Sequence, residues 1–403
     1  MGEPISLSFN DRYFYKQDGL GESSYVFING NDLTKRWKRL KKHESFTIGE
    51  LGFGTGLNFL NVLKEWKTFQ REAKLNFISI ERFPLALEDL EKALANFPDL
   101  NYETKDLLQL YPPLSRGFHR INFEEDNVSL TLIFDDVDRG LDDLQKTTKT
   151  FDAWFLDGFS PRENPKMWSS KILSGISNLS HSETTLSSFS AASIIKKSLE
   201  ENDFNISLVD GYKHKRHMIK ACSSSSNIKS NSNRKKIAIV GAGISGSCLA
   251  NSLAKRGHHV TVFEKNTNQK KGIPSFVGNP NLSHANTPYG RFLLASYLFF
   301  SLYYSKYCSN SWNETGVIVL KDEKGNYNKL EKIFRQINDS DFIAKADKDL
   351  FLSIGLDDLG KDAFYFPKTG WLKTQSAINE LLKNDNIKLK EEEVIEIKNP
   401  NED

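Results

Sequence analysis

The stretch FTIGELGFGTGLNFL, residues 46–60, carries an apolar strand pattern into a glycine turn and then into a helix. Glu50 closes the strand, Gly52, Gly54 and Gly56 follow at alternate positions, and LNFLNVLKEWKTF continues with the apolar spacing of an amphipathic helix. Without Cβ atoms, such a turn passes through positive φ and brings backbone amides of a helix N-terminus against a ligand.

A dinucleotide site has its acid after the second strand, whereas Glu50 precedes these glycines. That order favours S-adenosylmethionine. Glu50 is expected to meet the methionine ammonium, directly or through water. Glu81, which ends the next strand LNFISIE, is expected to accept hydrogen bonds from the ribose hydroxyls. A tight structural turn bearing two surface carboxylates is the plainer alternative. The third strand pattern, in FDAWFLDGFSPRENPKMW (151–168), leaves the sheet at Asp157. Ligands of open α/β sheets bind outside the carboxyl ends of the strands, so Asp157 is the expected catalytic carboxylate. It would orient an acceptor amine first and take its proton second, since an aspartate of ordinary pKa near 3.9 is a weak base. Its alternative role is to cap the following helix.

Around these motifs the chain reads as two domains. Its 403 residues, 38% hydrophobic and 26% charged, suffice for more than one core, and the net charge of +2 gives no global field pointing to nucleic acid. CSSSSNIKSNSNRKK, from Cys222 to Lys236, replaces apolar residues with serine, asparagine and lysine and reads as a linker. The expected boundaries are therefore 1–221, 222–236 and 237–403. Before the linker, strand and helix alternate as in a Rossmann-like α/β sheet. After it, KKIAIVGAGISGSCLANSLAKRGHHVTVFEK repeats strand, glycine turn, helix and strand, with Gly241, Gly243, Gly246 and then Glu264 near the usual spacing of about 20 residues. This is an FAD-type fingerprint, with Glu264 on the ribose. The three cysteines are far apart and lack metal or redox spacing. No export signal or membrane-length apolar run is visible. A cytoplasmic, monomeric protein without metal or membrane contact is expected.

The stretches ISLSFNDRYFYKQDGLGESSYVFINGNDLTKRW, ELGFGTGLNFL, FISIERFPL, DAWFLDGFSPRENPKMW, TTLSSFSAASIIKKSL and GYKHKRHM resemble the bifunctional bacterial enzymes that make 5-methylaminomethyl-2-thiouridine at the wobble position of tRNA. The resemblance implies an N-terminal domain that methylates the aminomethyl group with S-adenosylmethionine. It also implies a C-terminal FAD-dependent domain that removes carboxymethyl from the 5-carboxymethylaminomethyl form. It carries the catalytic aspartate onto Asp157 and the cofactor loop onto Glu50 to Asn58. At IFDD, Asp135 stands where the family has glycine, beside Asp136, the expected adenine-side acid.

For the tRNA, Phe159 and Trp168 are expected to stack on a splayed base, and Lys213, Lys215 and Arg216 to hold phosphates. The other basic run, Lys35 to His43, reads equally as a solvated face. In the second domain, GIPSFVGNPNLSHANTPYGRF and FYFPKTGWLKTQSAINELL resemble flavin-proximal and substrate-domain stretches more loosely. The chain after Lys235 is shorter than a complete oxidase, so an incomplete FAD-binding α/β (α+β) domain without stable flavin colour is expected. Two other readings stay open: a flavoprotein amine oxidase fused to a small-molecule N-methyltransferase, and a non-enzymatic RNA-binding scaffold.

Overall fold

Alternating apolar strands and amphipathic helices in the first half produce one large sheet covered on both faces. The computed structural model describes residues 5–6, 11–12, 18–69, 72–146, 150–158, 162–213, 215–229, 234–267, 273–283, 287–321, 326–337, 340–356 and 362–398. The chain divides into two compact units, Met1–Ser232 and Asn233–Asp403.

The first unit begins with paired two-residue strands β1 (Ile5–Ser6) and β2 (Asp11–Arg12). Helix α1 (Gly19–Ser23) runs into a π-helical turn over Ser24–Asn29, and α2 (Leu33–Trp37) follows. Then come β3 (Ser45–Leu51), α3 (Leu57–Lys67), β4 (Lys74–Glu81), α4 (Leu87–Leu94), α5 (Asn101–Leu110), β5 (Gly117–Phe123) and β6 (Val128–Phe134). The unit continues through α6 (Val137–Gln145), β7 (Phe151–Leu156), α7 (Ser170–Asn178), β8 (Ser180–Ser188), α8 (Ser193–Glu200), β9 (Phe204–Asp210) and β10 (His217–Ser223).

The eight-stranded order is β5-β6-β4-β3-β7-β8-β10-β9. Strands β6, β4, β3, β7 and β8 run parallel, while β5, β10 and β9 complete the sheet antiparallel. From β3 the chain winds outward through β4 to β6, then returns to the other side of β3 as β7. The switch point therefore lies between the carboxyl ends of β3 and β7, where such sheets bind ligands. All of β7 is buried, and so is β3 after Ser45. One face packs against Phe59, Leu60 and Leu63 of α3 with Leu107 of α5; the other packs against Leu141, Leu173 and Ile195 of α6, α7 and α8.

The serine-rich stretch read as a linker starts on the sheet: Cys222 and Ser223 end β10, and the Asn227 Nδ2 donates to the Ser180 carbonyl at 3.0 Å. Lys229 reaches Asp152, 2% exposed, at 2.6 Å. Polar side chains fasten this segment through buried acceptors, a mode that an apolar-packing criterion does not see. Asp152 also accepts from the Thr47 amide at 2.7 Å and faces His181 Nε2 at 3.3 Å.

In the second unit, β11 (Lys236–Val240), α9 (Ile244–Lys255) and β12 (His259–Glu264) form the strand, turn, helix and strand of the fingerprint. Next are β13 (Ser275–Val277), α10 (Pro288–Tyr307), β14 (Trp312–Asn313), β15 (Val317–Leu320), α11 (Asn326–Ile337), β16 (Ala344–Lys345), α12 (Lys348–Ser353), β17 (Ala363–Phe366), β18 (Trp371–Lys373), α13 (Thr374–Leu381) and β19 (Ile387–Glu391). Strands β11, β12 and β19 pair in parallel, and two small antiparallel sheets, β13-β18-β14 and β15-β17-β16, accompany them. Among the described residues no helix is long and apolar enough to cross a membrane, and no cluster of His, Cys, Asp and Glu could hold a metal.

Removing Asp152 strands Lys229 and His181 without their shared acid. Asp152→Ala should destabilise the first unit by about 1–3 kcal/mol, the usual cost of leaving buried hydrogen-bonding groups such as the Thr47 amide unpaired, since Lys229 is exposed enough to be solvated. Urea denaturation followed by tryptophan fluorescence measures this loss.

Candidate active site

The switch point gathers three carboxylates. Glu50 is the penultimate residue of β3, Glu81 the last of β4, and Asp157 follows β7 directly. Gly52 holds φ at +90°, and a Cβ there would come within 3.3 Å of the Asp157 carbonyl. Glycine is thus required both by the turn and by the closeness of β7. Asn58, in the first turn of α3, points its amide back between the strands: Nδ2 donates to Glu50 Oε1 at 3.0 Å and to Asp157 Oδ2 at 2.7 Å. Ser79 Oγ donates to the second Glu50 oxygen at 2.7 Å. Glu81 accepts from the amides of Gly54 at 2.9 Å and Phe83 at 2.7 Å.

Glu50 is only 1% exposed. Its two oxygens accept from Asn58 and Ser79, so it props the turn from beneath. Burial pushes its carboxyl well above the ordinary range, reinforced by Asp157 and Glu81 and opposed by Ser79 and Asn58. Burial likewise raises Glu81 against its backbone hydrogen bonds. Asp157 rises to about 6, chiefly through burial, with the Gly158 amide, Asn58 and Lys215 opposing and Glu22 assisting. An apolar wall of Leu51, Leu156, Met167, Trp168 and Leu173 stands against it.

The remaining expectations fare differently. Trp168 is 2% exposed and packs in the core beside Met167 and Leu173, so it backs Asp157 and offers no stacking face. Phe159 lies outside the described residues. Lys213 pairs with Asp18, and Lys215 with Glu22 at 2.6 Å; both tie the β9–β10 turn to the N-terminal helix, which occupies the charges expected to hold phosphates. Arg216 is exposed. Asp136 is bound by Arg82 at 2.9 Å and by Arg139 at the rim, while Asp135 is buried and forked by Arg116, whose Nε donates at 2.8 Å. These arginines have no sequence signature, and neither do Ser79 or Glu22; each comes to the site through packing.

In the second unit, a Cβ on Gly246 would strike the Gly241 carbonyl, while Gly241, at φ +98°, and Gly243 face open space. Strand and helix are thus pressed together at one glycine, and the turn presents a bare backbone at the other two. The Ala242 amide donates to Glu264 Oε2 at 2.8 Å, placing the acid beside the turn. Such a bare, amide-lined helix start with an adjacent acid fits the pyrophosphate and ribose of FAD. The three-carboxylate turn of the first unit fits a cationic cofactor, S-adenosylmethionine.

A cation that settles among Glu50, Glu81 and Asp157 favours their ionised forms. Binding of S-adenosylmethionine at pH 6 should therefore release up to about half a proton from Asp157, which is half-protonated there, and none from Asp157 at pH 8. Calorimetry in buffers of different ionisation enthalpy reads this directly, and Asp157→Asn should remove the Asp157 contribution.

Comparison with known proteins assigns both units. A profile described as S-adenosyl-L-methionine-dependent methyltransferase matches residues 98–224, and one described as FAD dependent oxidoreductase matches residues 236–402. The tRNA 5-methylaminomethyl-2-thiouridine biosynthesis bifunctional protein MnmC of Idiomarina loihiensis is 33% identical over 404 residues, covering 97% of this chain and 65% of that protein. The protein of the same name from Acinetobacter baylyi is 41% identical over 287 residues, 69% of this chain and 45% of its own length. The one from Legionella pneumophila strain Lens is 34% identical over 423 residues, 96% and 63% respectively. The chain thus spans less than two thirds of the length of these relatives. Over almost all of its length the chain is similar to these bifunctional tRNA 5-methylaminomethyl-2-thiouridine biosynthesis proteins, and it joins a methyltransferase region to an FAD-dependent oxidoreductase region.

Proposed function

We propose that the first unit transfers a methyl group from S-adenosylmethionine to the amine of 5-aminomethyl-(2-thio)uridine at the wobble position of tRNA. The observation that carries this reading is Asp157, a half-buried carboxylate at the sheet's switch point, coupled through one asparagine amide to the base of the cofactor turn. The names of the relatives supply the nucleoside and the tRNA. In this reading Gly52, Gly54 and Gly56 bring the backbone against the cofactor, Glu81 takes the ribose hydroxyls, and Asp136 borders the adenine. When bound, the cofactor supplies an electrophilic methyl group and keeps the electron pair of the broken carbon–sulfur bond.

Asp157 supplies what the acceptor needs. An ammonium has no lone pair to donate, so it must lose a proton before it can be methylated. A carboxylate raised to about 6 is a stronger base than an ordinary aspartate while remaining ionised at neutral pH. Its hydrogen bonds from Asn58 and Gly158 fix both oxygens, so the amine is oriented as it is deprotonated. For the second unit, Gly241, Gly243, Gly246 and Glu264 hold FAD for removal of carboxymethyl from the 5-carboxymethylaminomethyl form. Cys222, Cys248 and Cys308 are free thiols, in keeping with a reducing, cytoplasmic setting.

Incubation with labelled S-adenosylmethionine and tRNA lacking the final methyl group, followed by digestion, should yield one labelled nucleoside, the methylaminomethyl uridine. Label in a small amine and none in tRNA would overturn the reading. Because burial raises the Asp157 carboxyl, its active anion is lost as pH falls, so kcat/KM should decline below about pH 6. Asp157→Asn should lower kcat by about 10²–10⁴-fold, the usual contribution of a positioned general base.

A further inference from the structure

The glycine turn, Glu81 and Asp136 lie at the ends of β3, β4 and β6, to one side of Asp157, and strands β8, β10 and β9 continue the sheet on the other. In-line methyl transfer brings the cofactor and its acceptor to the reacting carbon from opposite directions. With the cofactor on the first side, the acceptor has the second.

Tyr25, in the π-helical turn Ser24–Asn29, stands on that second side. Its ring is 37% exposed, and its hydroxyl donates at 3.1 Å to the carbonyl of Asp210, the last residue of β9. The residues around it are anchored to the elements that carry the site. Ser24 accepts at 2.9 Å from Asn61 of α3, one turn beyond Asn58, and the Phe27 ring stacks at 5.0 Å on Phe155, two residues before Asp157 in β7. The Tyr212 ring lies 5.4 Å from that of Tyr25, tilted by 46°, and Asp18 holds the Tyr212 hydroxyl. Two aromatic rings with engaged hydroxyls thus line the carboxyl edge of the sheet beside the crevice.

A ring already held in one orientation loses little entropy when a second flat surface settles on it, and every nucleobase offers a π-face. Cations stand at the same place. Lys213 lies 5.5 Å from the centroid of the Tyr212 ring, and Arg216 of the β9–β10 turn is exposed with no acid partner among the described residues. Rings flanked by cations suit an unstacked base with phosphates on either side of it. An apolar peptide would use the rings and leave the cations idle.

Resting on the reading of tRNA as the acceptor, we propose that Tyr25, braced by Tyr212, is the platform on which an unpaired base of the anticodon loop stacks while the wobble uridine reaches Asp157. The stacked base is a neighbour of the wobble uridine, and Arg216 takes a phosphate beside it. Tyr25 contributes to binding and orientation and takes no part in the proton or methyl transfer.

The test is methylation of aminomethyl-uridine tRNA by the full chain at varied tRNA concentration, comparing wild type with Tyr25→Leu, Tyr25→Phe and Tyr25→Trp. Tyr25→Leu should raise KM for tRNA about tenfold, the size usual for one base–aromatic stack, while the acidic limb of kcat/KM keeps its pH. Tyr25→Phe and Tyr25→Trp retain a ring and should restore KM. Substrates made abasic at one loop position at a time, the wobble uridine excepted, then locate the base. At the stacked position the abasic loss and the Tyr25→Leu loss should not add, whereas at every other position they should multiply. Losses that multiply at all positions, or an unchanged KM in Tyr25→Leu, would overturn the proposal. An equal fall in affinity for S-adenosylmethionine would identify a purely structural tyrosine and overturn it as well. Wild-type chain that labels no tRNA nucleoside would instead sink the reading of the acceptor on which the platform rests.

Discussion

The first unit turns on one side-chain amide. Asn58 shares its two protons between Glu50 and Asp157, carboxylates that end neighbouring strands and that burial and mutual repulsion would otherwise drive apart or neutralise. The pairing of β7 with β3, the start of α3 and the glycine turn between them together bring that amide within reach of both acids. Two acids at this depth raise each other's affinity for protons, so the pair is poised for a cation. The same feature that makes the crevice costly to form makes it receptive to a sulfonium and an ammonium.

The two units solve the nucleotide problem in the same way with unrelated surroundings. In each, the acid at the end of the second strand reaches back to an amide of the glycine turn: Glu81 to Gly54 at 2.9 Å, Glu264 to Ala242 at 2.8 Å. The acid is therefore held at the turn before any ribose is considered, and what distinguishes the units is the preceding residue type. Glu50 precedes the first turn and adds negative charge beneath it. Apolar Ile239 and Val240 precede the second, leaving its backbone amides to act as the dominant dipoles, suited to an anionic pyrophosphate.

Strand, turn and helix around Glu50, Asp157 and Gly241 were legible because they are local: apolar runs of fixed length, glycines at required backbone angles, acids at strand ends. The antiparallel β10 and β9 and the roles of the basic residues were not, since these depend on partners far away in sequence. Lys213 and Lys215 read as a phosphate-binding cluster until Asp18 and Glu22, nearly two hundred residues earlier, are seen to neutralise them. Trp168 follows the same logic in reverse: beside prolines it suggests an exposed platform, yet Met167 and Leu173 enclose it. Charge runs and lone aromatics in a sequence report composition, and only the fold reports which charges are already spent.

Asp135 illustrates a further property of such buried charge. Burial pushes its carboxyl up, and Arg116, the Asp136 amide and Arg139 more than reverse this, holding it below the ordinary range. The arginine fork and the aspartate are each tolerable in this place because the other is present. Exchanging Asp135 for the glycine that the related motif carries would leave Arg116 only the longer contact with Asp136 at 3.8 Å, and exchanging Arg116 would leave the buried Asp135 to Arg139 and the Asp136 amide. Position 135 is thereby tied to a small network, Arg116, Asp136 and Arg139, in which each acid touches both arginines, so the cost of changing one member depends on what the other three still supply.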